Sequence, residues 1–342
     1  MNRKLKAVVV ASLFGALTLS ACSSAGGSDD DKTINLVGFA VPEAANDAIA
    51  AKFAQTDAGE GSKLSGSYGA SGDQSRKVLD TKGKNVDYVH FSLEGDVTRL
   101  VDGGLIADDW NAGPNKGIVS SSIAVIVVPK GNPDGIKGWA DLTRKDVKVV
   151  TADPASSGAA RWNVLALYSY AKSQGFTEDQ ADDYLKKVFA NVGAWATSGR
   201  EATEAFENGQ GNVLITYENE AILARQQGKE FDYIVPEQSF LIENPGAVLK
   251  KADDIANDWL DFVLSDEGQT EFVKKGFRPV GGLDISGIQV EGANDPSNPF
   301  PVPTDLGTIE KLGGWKKVTS EWFGKDGEKL RYDQLAAEAK KK

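Results

Sequence analysis

The chain has 342 residues, of which 41% are hydrophobic and 25% are charged, and this composition is typical of a soluble globular protein with room for two lobes. Its formal net charge is −11, and no basic stripe runs along the sequence, which argues against nucleic acid as a partner. Any anion-binding site in so acidic a chain has to be built locally, because the overall charge does not attract anions.

The N-terminal segment predicts export and anchoring. Residues 1–21 carry three positive charges and then an apolar stretch too short for a permanent membrane span, so we predict a signal peptide. Residues 19–22 (LSAC) resemble a bacterial lipobox, which predicts lipidation of Cys22; the alternative is a plain signal peptide with an incidental cysteine. Residues 22–32 then form a flexible tether. Removal of residues 1–21 changes the formal charge to −14, and lipidation of the only cysteine leaves no thiol for a disulfide, a nucleophile or a metal site.

From Thr33 onward, short apolar segments alternate with amphipathic ones, which predicts an α/β fold. The predicted strands are residues 33–39, 86–92, 122–129, 147–151, 212–217 and 231–236. The predicted helices are residues 42–56, 161–174, 178–192, 200–209 and 252–265. Residues 281–303 are rich in Gly, Pro and Asn and predict a long loop before a last helix around residues 305–323.

Small residues precede a predicted helix at three places. These are Ser71–Gly72, Ser157–Gly158 and Ser198–Gly199. A helix start offers unpaired N–H donors and the positive end of a dipole, and a glycine or alanine lets an anion approach the backbone. Each serine is equally well explained as an ordinary helix cap without any ligand. The recurrence of such turns in one chain keeps both interpretations open.

Several other site types find little support in the sequence. No turn matches a P-loop or a GxGxxG motif, which disfavours nucleotide binding. A serine hydrolase needs a base, and the only histidine, His90, lies in an apolar strand where a buried structural histidine is expected. Glu218 and Glu220 could suggest two-carboxylate glycosidase chemistry, but at i and i+2 they would point to opposite sides of a strand. We therefore expect no enzyme activity, no metal and no cofactor.

The blocks at residues 69–74, 153–166, 198–221, 265–269, 276–280 and 314–318 together resemble the bacterial sulfate/thiosulfate-binding proteins of ABC importers. The resemblance covers essentially the whole mature chain. It implies a periplasmic-binding-protein-like fold of type II, with two α/β lobes joined by crossover strands and the anion in the cleft between them. It also implies that lobe 1 comprises residues 33–121 and 245–342, and that lobe 2 comprises residues 122–244.

The resemblance also assigns the anion contacts. It implies contacts from side chains or backbone N–H groups at Ser71, Ser157, Gly158, Ala159, Gly199 and Tyr217. It places supporting roles at Gly72, Ser198, Arg161 and Arg200. The family usually has tryptophan at the position of Tyr217 and glycine at that of Ala159. It also has a more polar loop where this chain has residues 38–43. These departures leave the contacts near the first strand open.

Elementary chemistry agrees with such a site. A sulfate dianion accepts hydrogen bonds on every oxygen and donates none near neutral pH, so its site should offer donors only. Hydrogen phosphate carries a proton, and contact with Asp73, Asp153 or Glu218 would favour phosphate. Arg161 is predicted to brace a carboxylate or a loop carbonyl behind the site. For Arg76 and Arg200, bracing and simple solvation are equally open.

The sequence thus predicts a monomeric, lipid-anchored receptor on the extracytoplasmic face of the cell membrane, in the cell envelope or periplasm. Its partners would be sulfate or thiosulfate and the subunits of an ABC permease. Molybdate and phosphate remain alternative ligands, and a secreted hydrolase is the alternative from another class.

Overall fold

The computed structural model describes residues 32–324 and 331–339. The predicted signal peptide, the predicted lipidation site Cys22 and nearly all of the predicted tether lie outside the described residues. Within the described ranges, no helix is long and apolar enough to cross a membrane.

The strands alternate with helices along the chain, as predicted. The strands are β1 (Thr33–Phe39), β2 (Lys63–Gly69), β3 (Tyr88–His90), β4 (Ile118–Pro129), β5 (Val149–Ala152), β6 (Val192–Ala196), β7 (Val213–Tyr217), β8 (Phe231–Ile234), β9 (Gln238–Val248) and β10 (Asp305–Gly307). The helices are α1 (Glu43–Phe53), α2 (Ser71–Asp80), α3 (Glu94–Asp102), α4 (Gly158–Ser173), α5 (Glu178–Ala190), α6 (Gly199–Glu207), α7 (Glu218–Gln226), α8 (Ile255–Leu264), α9 (Asp266–Lys274), α10 (Trp315–Val318) and α11 (Arg331–Ala339). A 3₁₀ turn spans Trp139–Thr143, and a π-helical turn spans Thr319–Phe323.

Two long antiparallel strands connect two half-sheets. The strand order is β2-β1-β3-β9-β4-β7-β5-β6, with β10 beside β9 and β8 beside β4. Strand β4 pairs first with β9, through residues 118–123, and then with β7, through residues 124–127. Strand β9 likewise pairs with β3 at its carboxyl end. The chain therefore crosses between the half-sheets twice.

In each half-sheet, three neighbouring strands run parallel to one another. In the first half-sheet β1 runs parallel to β2 and β3, and in the second half-sheet β5 runs parallel to β6 and β7. In open parallel sheets, ligands bind outside the carboxyl ends of the strands, where the following helices begin. Helices α2, α4, α6 and α7 all begin within a few residues of such a strand end. The topology thus directs several helix N-termini into one crevice.

The interior is rich in aromatic side chains. Trp139, Trp162 and Trp259 are each no more than 1% exposed and belong to one apolar cluster that also includes residues of both half-sheets. The C-terminal segment packs onto the middle of the chain, since Trp315 contacts Trp162 edge to face and the guanidinium of Arg331 bonds to Asp182. Burial of these rings contributes a large share of the stability.

All six predicted strands and the first five predicted helices are confirmed, with boundaries that move by a few residues. Strands β2, β6 and β9 were not predicted. β2 and β6 lie at the sheet edges and are mostly not buried, and β9 contains Pro245 and Gly246, which normally interrupt strands. Helix α7 was not predicted either, because its first residues were considered only as an extended continuation of β7. The helix predicted around residues 305–323 is largely wrong, since β10 and a turn occupy its first half.

Candidate functional site

The three Ser-Gly turns all lie at helix starts. Ser157 caps α4, where its Oγ accepts a hydrogen bond from Ala160 N–H at 3.4 Å. Ser198 caps α6, where its Oγ accepts from Glu201 N–H at 3.2 Å. Ser71 is instead the first residue of α2, after Ala70 in the capping position. All three serines are buried, with exposed fractions of 2–3%.

The hydroxyl protons of these serines have different acceptors. Ser71 Oγ donates to the Asp96 carboxylate at 2.6 Å, and Ser198 Oγ donates to Glu201 at 3.3 Å. Ser157 Oγ accepts from Ala160 N–H, and among the described residues it donates to no acceptor, which leaves its proton for a ligand. The first N–H groups of a helix also have no intrahelical acceptor, which leaves those of Gly158 and Ala159 to donate to an external ligand. The start of α4 can therefore offer one hydroxyl and two backbone N–H donors to the crevice.

Ser92, just after β3, joins the two half-sheets at the crevice. Its N–H donates to Ser71 Oγ at 2.9 Å, and its Oγ lies 2.9 Å from Tyr217 Oη. Its carbonyl accepts from the Trp162 indole at 3.0 Å and from Asn244 Nδ2 at 3.1 Å. Ser71 and Tyr217, predicted from distant parts of the sequence, are thus linked through one residue.

The glycines of the turns permit close contact across the crevice. A β-carbon on Gly158 would lie only 2.7 Å from Ser92 Cβ, and one on Gly199 would lie 3.1 Å from Val41 Cγ2. A β-carbon on Gly72 would lie 3.3 Å from the carbonyl oxygen of Ser156. The two half-sheets therefore touch at all three turns, and the described conformation is closed.

Tyr217 is 1% exposed and ends β7 directly before α7. Burial raises the pKa of its phenol well above the ordinary value, while hydrogen bonds with Ser92 and Asn244 oppose the rise. The phenol consequently stays protonated and remains a hydrogen-bond donor at physiological pH.

The carboxylates near the turns already have partners. Glu218 forms a bidentate ion pair with Arg278, with oxygen–nitrogen distances of 2.7 and 3.1 Å. Burial raises the pKa of Glu218 to about 7, and the Arg278 guanidinium opposes the rise. Asp153 accepts from Ala155 N–H at 2.9 Å, and Asp73 pairs with Arg76 on the surface. Asp96, which was not predicted, bonds to Ser71 and at 3.0 Å to Arg99.

The predicted supporting arginines make local contacts. Arg161 Nε donates to the carbonyl of Pro154 at 3.2 Å, in the loop before α4, and its guanidinium stacks on Phe323. Arg200 pairs with the buried Glu220 at 2.7 Å and also donates to the Val41 carbonyl at 3.3 Å. These geometries agree with bracing for both arginines, although their effect on a ligand stays a prediction.

His90 is fully buried, with Asn46 Oδ1 3.2 Å from Nδ1 and Ser120 Oγ 3.1 Å from Nε2. Burial lowers its pKa to about 3, so the imidazole is neutral. The expectation of a structural histidine is confirmed. Glu218 and Glu220 bond to different arginines, Arg278 and Arg200, so the two carboxylates do not share a site. No metal-binding cluster of His, Cys, Asp and Glu occurs among the residues that the structure describes.

Sequence reasoning missed Ser92, Asn244 and Asp96. Ser92 and Asn244 are common polar residues in or beside strands, without a motif of their own. The available signal was weak: Ser92 follows a predicted strand at its carboxyl end, where ligands bind in parallel sheets.

Fold and site together define a two-lobe α/β binding protein, with hydrogen-bond donors of both half-sheets facing one crevice at the crossover strands. Residues 34–278 match the family model of bacterial extracellular solute-binding proteins.

Comparison with individual relatives shows which family of solute-binding proteins the chain belongs to. The chain is 39% identical to the sulfate-binding protein of Synechococcus elongatus, with 91% of each chain covered. It is 35% identical to the thiosulfate-binding protein of Pseudomonas aeruginosa, with 80% of this chain and 82% of that protein covered. The solved structure of the sulfate-binding protein SubI from Mycobacterium tuberculosis superposes with a TM-score of 0.78 at 39% identity, covering 86% of this chain and all of that one. The chain belongs to the family of sulfate- and thiosulfate-binding proteins within the bacterial extracellular solute-binding proteins.

Proposed function

We propose that this protein captures sulfate outside the cytoplasm and delivers it to an ABC permease for uptake. The observation that carries the proposal is the convergence of donors from both half-sheets on one crevice, at the start of α4 and around Ser92. The names of the relatives supply the candidate ligand. We propose Ser157 Oγ and the N–H groups of Gly158 and Ala159 as one donor edge, with the N–H group of Gly199 beside it and with Ser71 and Tyr217 in contact with Ser92 on the opposite side.

The partners of the nearby carboxylates favour sulfate over hydrogen phosphate. A protonated anion needs an acceptor in contact, and a carboxylate serves best. Glu218, Asp153 and Asp96 each accept hydrogen bonds from protein donors. The groups directed at the crevice are hydroxyls and backbone N–H groups, which suit an anion without a proton.

Thiosulfate is the second candidate ligand, because one of the relatives is a thiosulfate-binding protein. It has the same charge as sulfate and exposes three oxygens to the same donors. We further propose that the protein acts as a monomer without catalysis, since its relatives are binding proteins and its only histidine is neutral and buried. A lipid on Cys22 would hold it at the extracytoplasmic face of the membrane.

Calorimetric titration of the mature chain tests the proposed ligand. Sulfate, thiosulfate, molybdate and phosphate are titrated separately at pH 6 and pH 8. We expect sulfate to bind tightly at both values. An absence of sulfate binding, or tighter binding of phosphate, would contradict the proposal.

The anchor needs a separate experiment. The full precursor and its Cys22→Ser variant are expressed in a bacterial host, and membranes are separated from soluble fractions. The proposal predicts that the processed wild-type protein stays with the membranes until detergent is added, and that its N-terminal peptide carries the additional mass of a lipid. The Cys22→Ser variant should be found in the soluble fraction. Equal release of both proteins would contradict anchoring through Cys22, without affecting the ligand proposal.

A further inference from the structure

The hydroxyl of Ser92 is placed for a role that the resemblance does not assign. Its side chain is fully buried, and it lies between α2, the start of α4 and the end of β7. The tight approach of Gly158 shows that the start of α4 faces the Ser92 side chain directly. Ser92 is thus a residue of the first half-sheet that lies directly against the start of α4 in the second.

Ser71 is poorly suited to be the hydroxyl donor of the first half-sheet. A serine has one hydroxyl proton, and that of Ser71 is donated to the Asp96 carboxylate at 2.6 Å. Hydrogen bonds to a charged acceptor are about twice as strong as neutral ones, so this proton is not easily redirected. Ser71 Oγ in turn accepts from Ser92 N–H and fixes the Ser92 backbone.

The Ser92 hydroxyl has one donor and one further hydroxyl beside it. The Trp162 indole donates to Ser92 Oγ at 3.2 Å. Tyr217 Oη lies 2.9 Å from Ser92 Oγ, and either hydroxyl can donate in that bond. When Tyr217 is the donor, Ser92 Oγ accepts two hydrogen bonds and its own proton is left for a group in the crevice.

We propose that Ser92 Oγ donates directly to the bound anion and that Tyr217 acts through it. The inference rests on the proposed function. In this arrangement Tyr217 donates to Ser92 across 2.9 Å and Ser92 donates into the crevice, and successive hydrogen bonds in a buried chain strengthen one another. Tyr217 is then a positioning residue, and Ser92 supplies the donor that the family tryptophan would otherwise provide.

A double-mutant cycle on the mature chain tests this assignment by sulfate calorimetry. Ser92→Ala should weaken sulfate binding about tenfold to a hundredfold, the range for a hydrogen bond to a charged group. Tyr217→Phe should weaken it about threefold to tenfold in the wild-type background. In the Ser92→Ala background, Tyr217→Phe should have almost no further effect, because its path to the anion is already removed.

Two further variants separate binding from folding. Ser92→Cys keeps the shape of the side chain with a somewhat larger atom that donates only weakly, so it should lose affinity while still unfolding cooperatively without sulfate. Ser239→Ala removes another fully buried hydroxyl, bonded to Ala124 O at 2.6 Å, and should retain wild-type affinity.

Wild-type affinity in both Ser92 variants, or an equal cost of Tyr217→Phe in both backgrounds, would overturn the role of Ser92 while leaving the proposed function intact. A wild-type chain that does not bind sulfate would overturn both.

Discussion

At the residue scale, Ser157 combines two tasks that can be separated. Its Oγ caps α4 by accepting from Ala160 N–H, and in our proposal its proton is donated to the anion. A cap alone stabilises the fold, whereas a ligand donor changes affinity. The distinction matters because a serine at a helix start was ambiguous in the sequence.

Replacing Ser157 by alanine should reduce stability by about 1 kcal/mol through loss of the cap. It should also weaken sulfate binding about tenfold to a hundredfold through loss of the donor. Ser265→Ala is the matched control, since Ser265 caps α9 by accepting from Gly268 N–H at 3.2 Å. Urea unfolding should show similar losses for both variants, and calorimetry should show an affinity loss for Ser157→Ala only. Equal affinities would place the site elsewhere.

His90 gives a pH prediction that a single NMR signal can check. Burial lowers its pKa from an ordinary 6.5 to about 3, so the folded state disfavours the protonated ring. The unfolded chain binds the proton more readily, and stability is therefore present above pH 6.5 and is lost as the pH falls towards 3. Because His90 is the only histidine, its imidazole signal needs no assignment. We expect no titration between pH 5 and pH 8, and a midpoint near 6.5 would contradict the buried, neutral ring.

Residues of the candidate site could be predicted from the sequence only where they belong to a recognisable motif. The turns at Ser71, Ser157 and Ser198 stood out because the same pattern of small residues before a helix occurs three times in the chain. Ser92, Asn244 and Asp96 act through contacts with residues far along the chain, such as the Ser92–Tyr217 bond between positions 125 residues apart. No local pattern encodes such contacts.

At the element scale, Arg200 ties three segments together. Its guanidinium binds Glu220 on α7 in a bidentate pair, and it also reaches the Val41 carbonyl in the loop after β1. The Glu220 side chain is 1% exposed and that of Arg200 is 22% exposed. Removal of one partner from such a pair leaves an uncompensated buried charge.

Arg200→Met should therefore destabilise the protein by about 3 kcal/mol and also weaken sulfate binding, because α6 and the β1 loop both border the crevice. Lys274→Met is the control: it removes an ion pair with Glu271 whose lysine is 48% exposed, and such pairs contribute less than about 1 kcal/mol. Chemical unfolding of both variants provides the comparison. Equal stabilities would show that Arg200 is only a solvated helix residue.

Helices and strands could be predicted where their apolar residues recur with the spacing of a helix or a strand and are buried. β1 was predicted with its observed limits because its apolar residues are buried, and α5 because Ala181, Tyr184 and Leu185 face inward. β2, with the sequence KLSGSYG, has no apolar alternation and exists because β1 pairs with it along seven residues. β2 is therefore a strand because it pairs with β1, and this pairing cannot be read from the sequence of β2 alone.

At the scale of the whole molecule, the crossover strands β4 and β9 join the half-sheets, and contacts across the crevice close it. The predicted lobe boundaries at residues 121 and 244 lie within these strands and stay a prediction. The contacts of the C-terminal segment favour one amendment, because β10 pairs with the start of β9 and α11 packs on α5. We propose that the segment after residue 281 belongs with the middle of the chain, not with the first lobe.

Closure gives a prediction of its own. Gly158→Ala would place a β-carbon 2.7 Å from Ser92 Cβ, so the half-sheets should no longer close fully over the anion. We expect sulfate affinity to fall about tenfold or more, since overpacking of a tight contact costs about 1–3 kcal/mol. In small-angle X-ray scattering with sulfate, the variant should keep a larger radius of gyration than the wild type. Gly95→Ala on α3, where an added β-carbon meets nothing within 4 Å, should behave as wild type. A Gly158→Ala variant that binds and compacts normally would contradict the closed contact.

The central claim is that the start of α4 forms a donor edge for sulfate, and a crystal structure of the mature chain with bound sulfate tests it most directly. We predict sulfate oxygens within about 3 Å of Ser157 Oγ and of the N–H nitrogens of Gly158 and Ala159, in line with ordinary hydrogen-bond distances. The anion should contact no carboxylate oxygen. Sulfate bound away from α4, or held mainly by an arginine or lysine side chain, would contradict the account.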